Sequence, residues 1–377
     1  PFDPRVLIWE AAAVAQAAME SGVAQMPVDL DEYREQLERR LGRAHEIMRT
    51  VIHKAQRIPK RVVFPEGEED KILRACQILE DEKIAVPILL GRADVILARI
   101  EELHLRFNGE LNIVEIPRFP RLEQYAAELF RLRQRKGLTL REAEELIRNR
   151  NVFGSMMVRT GDADALISGL TQHYPETIRP ALQVIEVREG KQLVSGVYLL
   201  ITPKGQSYFL ADATVNIEPS AEDLAEIAIN TAELARRFDV EPRVAMLSFS
   251  NFGGTRHPLA EKVRRAVDLV HRREPGLMID GEMQADTAVV PEIIEETFPF
   301  STLKGGANVL IFPNLEAGNV AYKLLARIGG AEPIGPILVG MAKPVHVLQH
   351  GAAVNDIVNM AAIAVVDAQD ASALRQQ

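Results

Sequence analysis

The stretch Arg61–Gly67, "RVVFPEG", opens the part of the chain whose pattern decides the fold. It is a short β-rich run, and "EEDKILRACQILEDE" (68–82) follows it with the spacing of an amphipathic helix. "AVPILLG" (85–91) and "ADVILARIEEL" (93–103) repeat this strand–helix unit, and "ADALISG" (163–169) is another strand that ends in glycine. Strands that alternate with helices favour a parallel sheet covered by helices, so we predict an α/β fold.

The second half of the chain continues the alternation. "VAMLSFS" (244–250) is an apolar strand that turns polar at its end, and a loop leads from it into the helical pattern of residues 259–273. "ANVLIFPN" (307–314) and "LEAGNVAYKLLARI" (315–328) form the next unit. One departure is "SGVYLLITPKGQSYFLADATV" (195–215), where two β runs flank Lys204-Gly205 and predict an antiparallel hairpin.

The composition limits the class of protein. A chain of 377 residues is too long for one ordinary core, so two or three domains are expected. The net charge of −9 argues against nucleic acid as the main partner. Cys76 is the single cysteine, which rules out an intrachain disulfide framework and favours a cytoplasmic location. No apolar run approaches the ~20 residues of a membrane helix, so no membrane partner is expected.

The first 56 residues differ from the rest. "VLIWEAAAVAQAAMESGVAQ" (6–25) is alanine-rich and predicts a helix that stops near Gly22, and residues 26–56 predict a long charged helix. The sequence begins at Pro1 without an initiator methionine. We interpret it as a piece of a longer polypeptide, although processing would give the same start.

Polar residues follow several strands, where open α/β sheets bind their ligands. The places are Ser168-Gly169, Ser248–Gly254, Pro313-Asn314 and the stretch "KPVHVLQHGAAVNDIV" (343–358). The "SFSNFGG" loop (248–254) has glycines, hydroxyls and an amide that could hold phosphate, but a tight turn explains it equally well.

No metal site is expected. His346 and His350 are four residues apart, but they follow Pro344 in an extended segment, so their rings should not converge. The sequence also lacks HExxH, CxxC and GxSxG patterns. Arg179, which precedes a proline at the start of a predicted helix, is better placed for an anion, and Arg133 is a weaker signal.

Seven motifs taken together resemble the phosphotransacetylase family over about residues 45–370. In order they are "GDADALISG", "TIRPALQ", "VAMLSFS", "DGEMQADTAVVPEI", "ANVLIFPNLEAGNVAYKL", "IGPILVGMAKP" and "NDIVNMAAIAVVDA". The resemblance implies two α/β domains of the isocitrate dehydrogenase-like type with a ligand cleft between them. The expected first domain combines residues 41–188 with 335–377, and the second is 189–334. It also implies a homodimer or higher oligomer, for which the apolar segment "IVNMAAIAVVDA" (357–368) would offer a surface.

The resemblance also assigns site residues. The family carries Ser-Arg-Gly in the loop where this sequence has Gln349, His350 and Gly351, and its aspartate base matches Asp356. Phe252 stands where the family has lysine. We therefore expect no catalytic residue, Asp356 being a remnant base. The expected acetyl-CoA- and phosphate-binding residues are Arg133, Arg179, Ser168, Thr177, Ser248, Asn251, Lys343, His350 and Asp356.

These differences favour binding over reaction. Acyl transfer to phosphate requires both partners in line and stabilised charge at the carbonyl oxygen. Histidine cannot supply the bidentate contacts of a guanidinium, and losing one such group can cost ~10²–10³ in rate. We expect a cleft that binds acetyl-CoA as an effector.

Residues 1–40 point to the larger context. "FDPRVLIWEAAAVAQAAMESGVAQ" (2–25) resembles the end of the catalytic part of bacterial malic enzyme, and its junction with a phosphotransacetylase-like region is the arrangement of large NADP-dependent malic enzymes. This implies malic domains of the same chain as partners, with NADP and a divalent metal bound there and no cofactor here. Feedback inhibition by acetyl-CoA is expected. An active phosphate acetyltransferase and a structural dimerisation module remain open.

Overall fold

The computed structural model describes residues 5–24, 26–40, 43–109 and 111–373. These residues form strands at β1 (Lys60–Phe64), β2 (Ala85–Leu90), β3 (Asn112–Val114), β4 (Ala165–Ser168), β5 (Ser195–Ile201), β6 (Ser207–Ala211), β7 (Arg243–Leu247), β8 (Met278–Met283), β9 (Val309–Ile311), β10 (Glu332–Val339) and β11 (Val345–Val347).

The helices are α1 (Arg5–Glu20), α2 (Leu30–Arg40), α3 (Arg43–Arg57), α4 (Asp70–Asp81), α5 (Ala93–Glu102), α6 (Leu122–Arg133), α7 (Leu140–Leu146), α8 (Arg150–Thr160), α9 (Tyr174–Val184), α10 (Ala221–Arg237), α11 (Pro258–Arg273), α12 (Ala285–Val289), α13 (Pro291–Thr297), α14 (Leu315–Arg327) and α15 (Val354–Ala373). Two short 3₁₀ turns lie at Ile116–Arg118 and Gln134–Lys136.

The strands form two sheets, which we call the first and second lobes with the helices that cover them. The first sheet has the order β11-β4-β1-β2-β3, and all of its neighbours are parallel. The second has the order β10-β5-β6-β9-β7-β8. β6, β9, β7 and β8 run parallel to one another, whereas β5 is antiparallel to both β6 and β10. The predicted α/β fold and the hairpin around Lys204-Gly205 are therefore confirmed.

The chain returns from the second sheet to the first near its end. β10 pairs with β5 from Glu332 to Val339, and the next strand, β11, lies at the edge of the first sheet. The expected division between residues 334 and 335 falls inside β10. Because β10 belongs to the second sheet and β11 to the first, the chain crosses back to the first lobe between Val339 and Val345.

The last helix, α15, lies inside the chain. It packs on α3, α4, β1 and β4, and Ala361, Ala364 and Val365 are fully buried. The chain itself covers this apolar segment, so it offers no surface to another copy, and self-association stays a prediction that this segment does not support.

The N-terminal segment begins with α1, which ends at Glu20, and Gly22 follows with a φ of 74°. The long helix expected over residues 26–56 is described as α2 and α3; residues 1–4, 25, 41 and 42 lie outside the described ranges. Throughout these ranges, no helix combines the length and apolar character needed to cross a bilayer.

A buried carboxylate controls the carboxyl edge of the first sheet. Glu66, just after β1, is 5% exposed and accepts hydrogen bonds from the backbone amides of Gly169, Leu170 and Thr171 at 2.8, 2.9 and 2.7 Å. The Thr171 hydroxyl donates a fourth bond at 2.6 Å. One side chain thus fixes the whole turn that follows β4.

Glu66→Gln should destabilise the chain. The amide replaces one acceptor oxygen with a donor that faces N–H donors, so we expect the free energy of unfolding to fall by about 3 kcal/mol. Urea denaturation followed by circular dichroism measures this change.

Glu69→Gln is the matched control, because Glu69 is exposed and its side chain caps nothing. It should change the free energy of unfolding by less than about 0.5 kcal/mol. Equal effects of the two substitutions would show that the Glu66 contacts carry no special weight.

Candidate functional site

Two adjoining cavities form a cleft between the lobes. Their volumes are about 500 and 450 Å³, and they share Tyr322, Lys323, Leu348, Gln349 and His350. The first cavity continues to the start of α15, and the second continues to residues 172–175 before and at the start of α9. Volumes of this size accommodate small organic ligands.

The loop of residues 348–353, which follows β11, forms one wall of the cleft. The Leu348 amide donates to the Ser168 carbonyl at 2.8 Å, and the Gly351 amide donates to the Leu170 carbonyl at 3.2 Å. From the other side, the Lys71 ammonium on α4 donates to the carbonyl oxygens of residues 351 and 352 at 3.0 and 2.9 Å. The loop is therefore held against the turn that Glu66 fixes.

Gln349 links this loop to the second lobe. Its Nε2 donates to the Tyr198 hydroxyl at 2.8 Å, and the Tyr198 ring stacks on Tyr322 with 4.0 Å between centroids. Burial and the nearby Tyr322 hydroxyl raise the pKa of Tyr198 far above its ordinary range, so the phenol stays neutral. At the position where the resemblance implies a serine, Gln349 instead forms a hydrogen bond between neutral groups across the cleft.

His350 and Asp356 both line the first cavity. His350 is exposed, and so is Asp356, which accepts a hydrogen bond from the Ala353 amide at 2.8 Å and so caps the first turn of α15. The structure therefore brings together Gln349, His350 and Asp356.

Two cations at the cleft were not expected from the sequence. Lys323 and Arg327 lie one turn apart on α14, both are exposed, and both line the first cavity. Within the described ranges, neither forms an ion pair; the Lys323 ammonium lies 5.9 Å from the Tyr322 ring centroid. Their i, i+4 spacing on the helix after β9 was the available signal.

Ser168 and Thr177 are buried and do not reach the cleft surface. The Ser168 hydroxyl is fully buried and donates to Asn151 Oδ1 at 2.8 Å, so it is already engaged. Thr177, on α9, is 1% exposed, and its hydroxyl has no hydrogen-bond partner among the described residues. Neither lines the two cavities.

The two arginines expected to bind anions are at least partly exposed and lie outside the cavity linings. Arg133 ends α6 and is half-buried, and Arg179 is exposed on α9, whose preceding residues line the cleft. Neither guanidinium has an ion-pair partner in the part of the chain that the structure describes, and neither lines the two cavities. Arg179 is nearer in sequence to cleft residues than Arg133 is.

The 248–254 loop is already closed by the chain itself. The buried Glu282 carboxylate accepts from the Gly253 amide at 2.8 Å, the Ser250 hydroxyl at 3.2 Å and Arg264 Nε at 3.0 Å. Burial would raise the pKa of Glu282, but Arg264 and the Gly253 amide outweigh it and lower the pKa. An ionised carboxylate in this turn repels phosphate.

Ser248 and Asn251 belong to the same closed loop. The Ser248 amide donates to the Met283 carbonyl at 2.8 Å, and Asn251 Oδ1 accepts from the Gln284 amide at 2.7 Å. Neither lines the cleft.

The Phe252 side chain packs against two other aromatic rings. Its ring lies 5.0 Å from those of Phe298 and Phe300, centroid to centroid. The position where the resemblance implies a lysine is thus built into an aromatic cluster.

Lys343 and His346 lie away from the cleft. Lys343 lines a different cavity. His346 is fully buried in β11, where its Nδ1 accepts from the Leu338 amide at 3.2 Å and its Nε2 lies 3.2 Å from Asp367. His346 therefore does not converge with the exposed His350. No group of three or more histidine, cysteine or acidic residues suited to a metal occurs among the residues described.

Comparison with known proteins agrees with this architecture. The family model described as Phosphate acetyl/butaryl transferase matches residues 46–365. The NADP-dependent malic enzyme of Escherichia coli (strain K12) is 45% identical over 375 residues, which are 98% of this chain and 49% of that protein. The chain thus spans about half the length of the curated malic enzymes it matches.

Two stand-alone transferases match over most of their own length. A phosphate acetyltransferase of Thermoanaerobacterium thermosaccharolyticum is 40% identical over 329 residues, which are 86% of this chain and 99% of that protein. The crystal structure of a phosphotransacetylase from Streptococcus pyogenes superimposes with a TM-score of 0.83 at 36% identity, covering 86% of this chain and 98% of the other. The chain therefore belongs to the phosphate acetyl/butaryl transferase family, has its two-domain α/β phosphotransacetylase fold, and is related along nearly all of its length to the corresponding half of NADP-dependent malic enzymes.

Proposed function

We propose that this chain is a regulatory phosphotransacetylase-like unit that binds acetyl-CoA in the cleft, transfers its acetyl group slowly or not at all, and inhibits the malic enzyme activity of a longer polypeptide. NADP, a divalent metal and malate would bind in the malic domains of that polypeptide, in the cytoplasm. The similarity to malic enzymes over 98% of the chain supports this context.

The observation that carries the proposal is the bond between Gln349 and Tyr198. An active transferase must place donors where charge develops on the reacting acyl group, and the resemblance implies that a hydroxyl and a guanidinium of this loop do so. Here the loop side chain is held by a neutral bond to the second lobe, and the next position carries an exposed histidine. The loop can contact a ligand but lacks the fixed cation that stabilises an oxyanion.

Positively charged side chains in and beside the cleft support the binding of acetyl-CoA. Lys323 and Arg327 line the first cavity, and Arg179 lies on the helix beside the second. Charge-assisted contacts from such groups suit the phosphates of coenzyme A. A cleft that keeps cations for binding but lacks the reacting groups fits an effector site.

An active phosphate acetyltransferase is the second candidate. Asp356 lies in the cleft, where a base for the thiol is expected, and relatives named phosphate acetyltransferase share 40% identity with this chain. The two functions differ in turnover, which the following experiments measure.

The first prediction concerns affinity. The chain should bind acetyl-CoA in isothermal titration calorimetry, and Arg179→Ala should weaken binding by roughly 1.5–3 kcal/mol, less at high salt. Lys323→Ala should weaken it in the same way. Arg141→Ala is the control, since Arg141 is exposed and pairs with its helix neighbour Glu145. Unchanged affinity in both cleft variants would place the ligand elsewhere.

The second prediction concerns lost chemistry. Gln349→Ser combined with His350→Arg should raise acetyl transfer to phosphate above the unmodified chain, because it releases Tyr198 and supplies the guanidinium fork. Recovery should be partial, since Phe252 still fills the lysine position and a 1 Å misplacement costs ~10² in rate. A coupled thiol-release assay measures it.

Asp356→Asn in the restored background should abolish the gain, because an amide cannot accept the thiol proton. Brisk turnover by the unmodified chain would instead support the active transferase. A double variant that binds acetyl-CoA but remains inert would locate the defect outside this loop.

We also propose that the chain self-associates. Val320 and Leu324 on α14 and Ile328 at its C-cap are 55%, 51% and 81% exposed and follow one another at i, i+4 spacing, which forms an apolar stripe. Light scattering at micromolar concentration should give at least a dimer, and Leu324→Glu should shift the population toward monomer. Leu97→Glu, at an equally exposed leucine outside the stripe, should not. A monomeric unmodified chain would contradict the proposal.

A further inference from the structure

His350 lies where the two cavities of the cleft adjoin. It lines both of them, and its side chain is exposed. Among the residues that the structure describes, its ring has no hydrogen-bond or ion-pair partner. A ligand in either cavity would therefore meet an imidazole that can gain or lose a proton without breaking a contact of the fold.

His346, four residues earlier, does not have this freedom. It is fully buried in β11, its Nδ1 accepts from the Leu338 amide at 3.2 Å, and its Nε2 faces Asp367 at 3.2 Å. A proton placed on Nδ1 would break the bond to Leu338, and the buried ring meets no ligand in the cleft. His346 therefore takes no part in the titration of the cleft.

The groups that face His350 come from several elements. The charged and basic ones are Lys71 of α4, Lys323 and Arg327 of α14, Asp356 of α15 and His173 before α9. The phenols are those of Tyr174, Tyr198 and Tyr322. Burial raises the pKa of Tyr174 and Tyr198 well above the ordinary range, so these two phenols carry no charge. Lysine and arginine thus contribute three cations against one carboxylate.

This balance of charge sets the sign of the effect. In the empty cleft, the three cations oppose a further positive charge on His350. A ligand that carries phosphates supplies negative charge beside the ring and favours that positive charge instead. Histidine is the side chain whose charge ordinarily changes between pH 5 and 8. Binding of the anion and protonation of His350 therefore favour each other, because linkage is reciprocal.

We propose that binding of acetyl-CoA in the cleft takes up a proton on His350, so that affinity for this effector falls as the pH rises from 6 to 8. The inference rests on the proposed function, since it requires an anionic ligand in the cleft. It adds a pH dependence of stated sign and assigns it to one side chain. An arginine at this position would attract the anion at every pH, whereas histidine makes the attraction conditional on a proton.

Isothermal titration calorimetry with acetyl-CoA in phosphate-free buffers tests the proposal. Titrations at pH 7 in PIPES, HEPES and Tris, whose enthalpies of protonation differ, give the number of protons taken up. His350→Gln, whose amide does not titrate, should take up roughly 0.3–0.6 proton fewer than the unmodified chain. Between pH 6 and 8, the unmodified chain should lose roughly fivefold more affinity than His350→Gln does. The comparison between chains removes the contribution of the ligand, whose phosphate also titrates near pH 6.

Two further variants separate charge from folding. His350→Arg carries a permanent cation, so it should bind more tightly than His350→Gln at pH 8 and show no greater pH dependence than His350→Gln. His53→Gln, at an exposed histidine of α3 outside both cavities, should keep the proton uptake of the unmodified chain. Without ligand, His350→Gln should melt at the same temperature as the unmodified chain, because the ring has no partner to lose.

Equal proton uptake by the unmodified chain and His350→Gln would overturn this inference while the proposed function stands. Loss of the uptake in His173→Gln but not in His350→Gln would also overturn it, because the proton would then belong to the other histidine of the cleft. If acetyl-CoA does not bind at either pH, the proposed function fails, and this inference fails with it.

Discussion

The geometry of the cleft depends on the carboxylate of Glu66. Its four short hydrogen bonds fix residues 169–171 as they leave the first sheet. That turn supplies the carbonyl oxygens to which the 348–353 loop is bonded, and Lys71 holds the same loop from α4. A buried carboxylate that is fully hydrogen-bonded is costly to disturb, so it fixes the position of the loop that lines the cleft relative to β1.

Buried carboxylates fix turns of the second lobe in the same way. Asp212, after β6, is 2% exposed and accepts from the amides of Thr214, Val215 and Asn216 at 2.9, 3.1 and 2.9 Å. Glu282 does the same for the turn after β7. At three strand ends, where an α/β protein could bind an anion through its backbone amides, this chain supplies its own carboxylate. An anion at the cleft would therefore have to be bound by side chains, and Lys323 and Arg327 on α14 are available there.

The sequence pattern predicted the features of the fold that depend on interactions between residues close together in the chain. The alternation of strands and helices, the hairpin at Lys204-Gly205 and the sheet edge that carries Gln349 all follow from hydrophobic period and turn chemistry. Features that depend on tertiary contacts were missed. Nothing near Glu66 in sequence indicates its partners a hundred residues away, and the apolar period of α15 is the same whether another copy or the chain's own sheet covers it. Lys343 was expected among the binding residues, yet it lies between the two sheets in sequence and lines a cavity other than the cleft.

Helix α3 is hydrogen-bonded to both lobes. Gln369 on α15 donates from Nε2 to the carbonyl oxygens of residues 54, 55 and 58, so the first lobe holds the end of α3. Lys54 of the same helix donates to the Arg237 carbonyl at 2.9 Å and to Asp239 at 2.8 Å, so the second lobe holds it as well. A change in the angle between the lobes would therefore strain or break one of these two sets of bonds and shift α3 relative to at least one lobe. Allosteric coupling would require an element whose position both sites bias, and α3 is the candidate for that element because it is bonded to both lobes and is followed toward the N-terminus by α2 and α1.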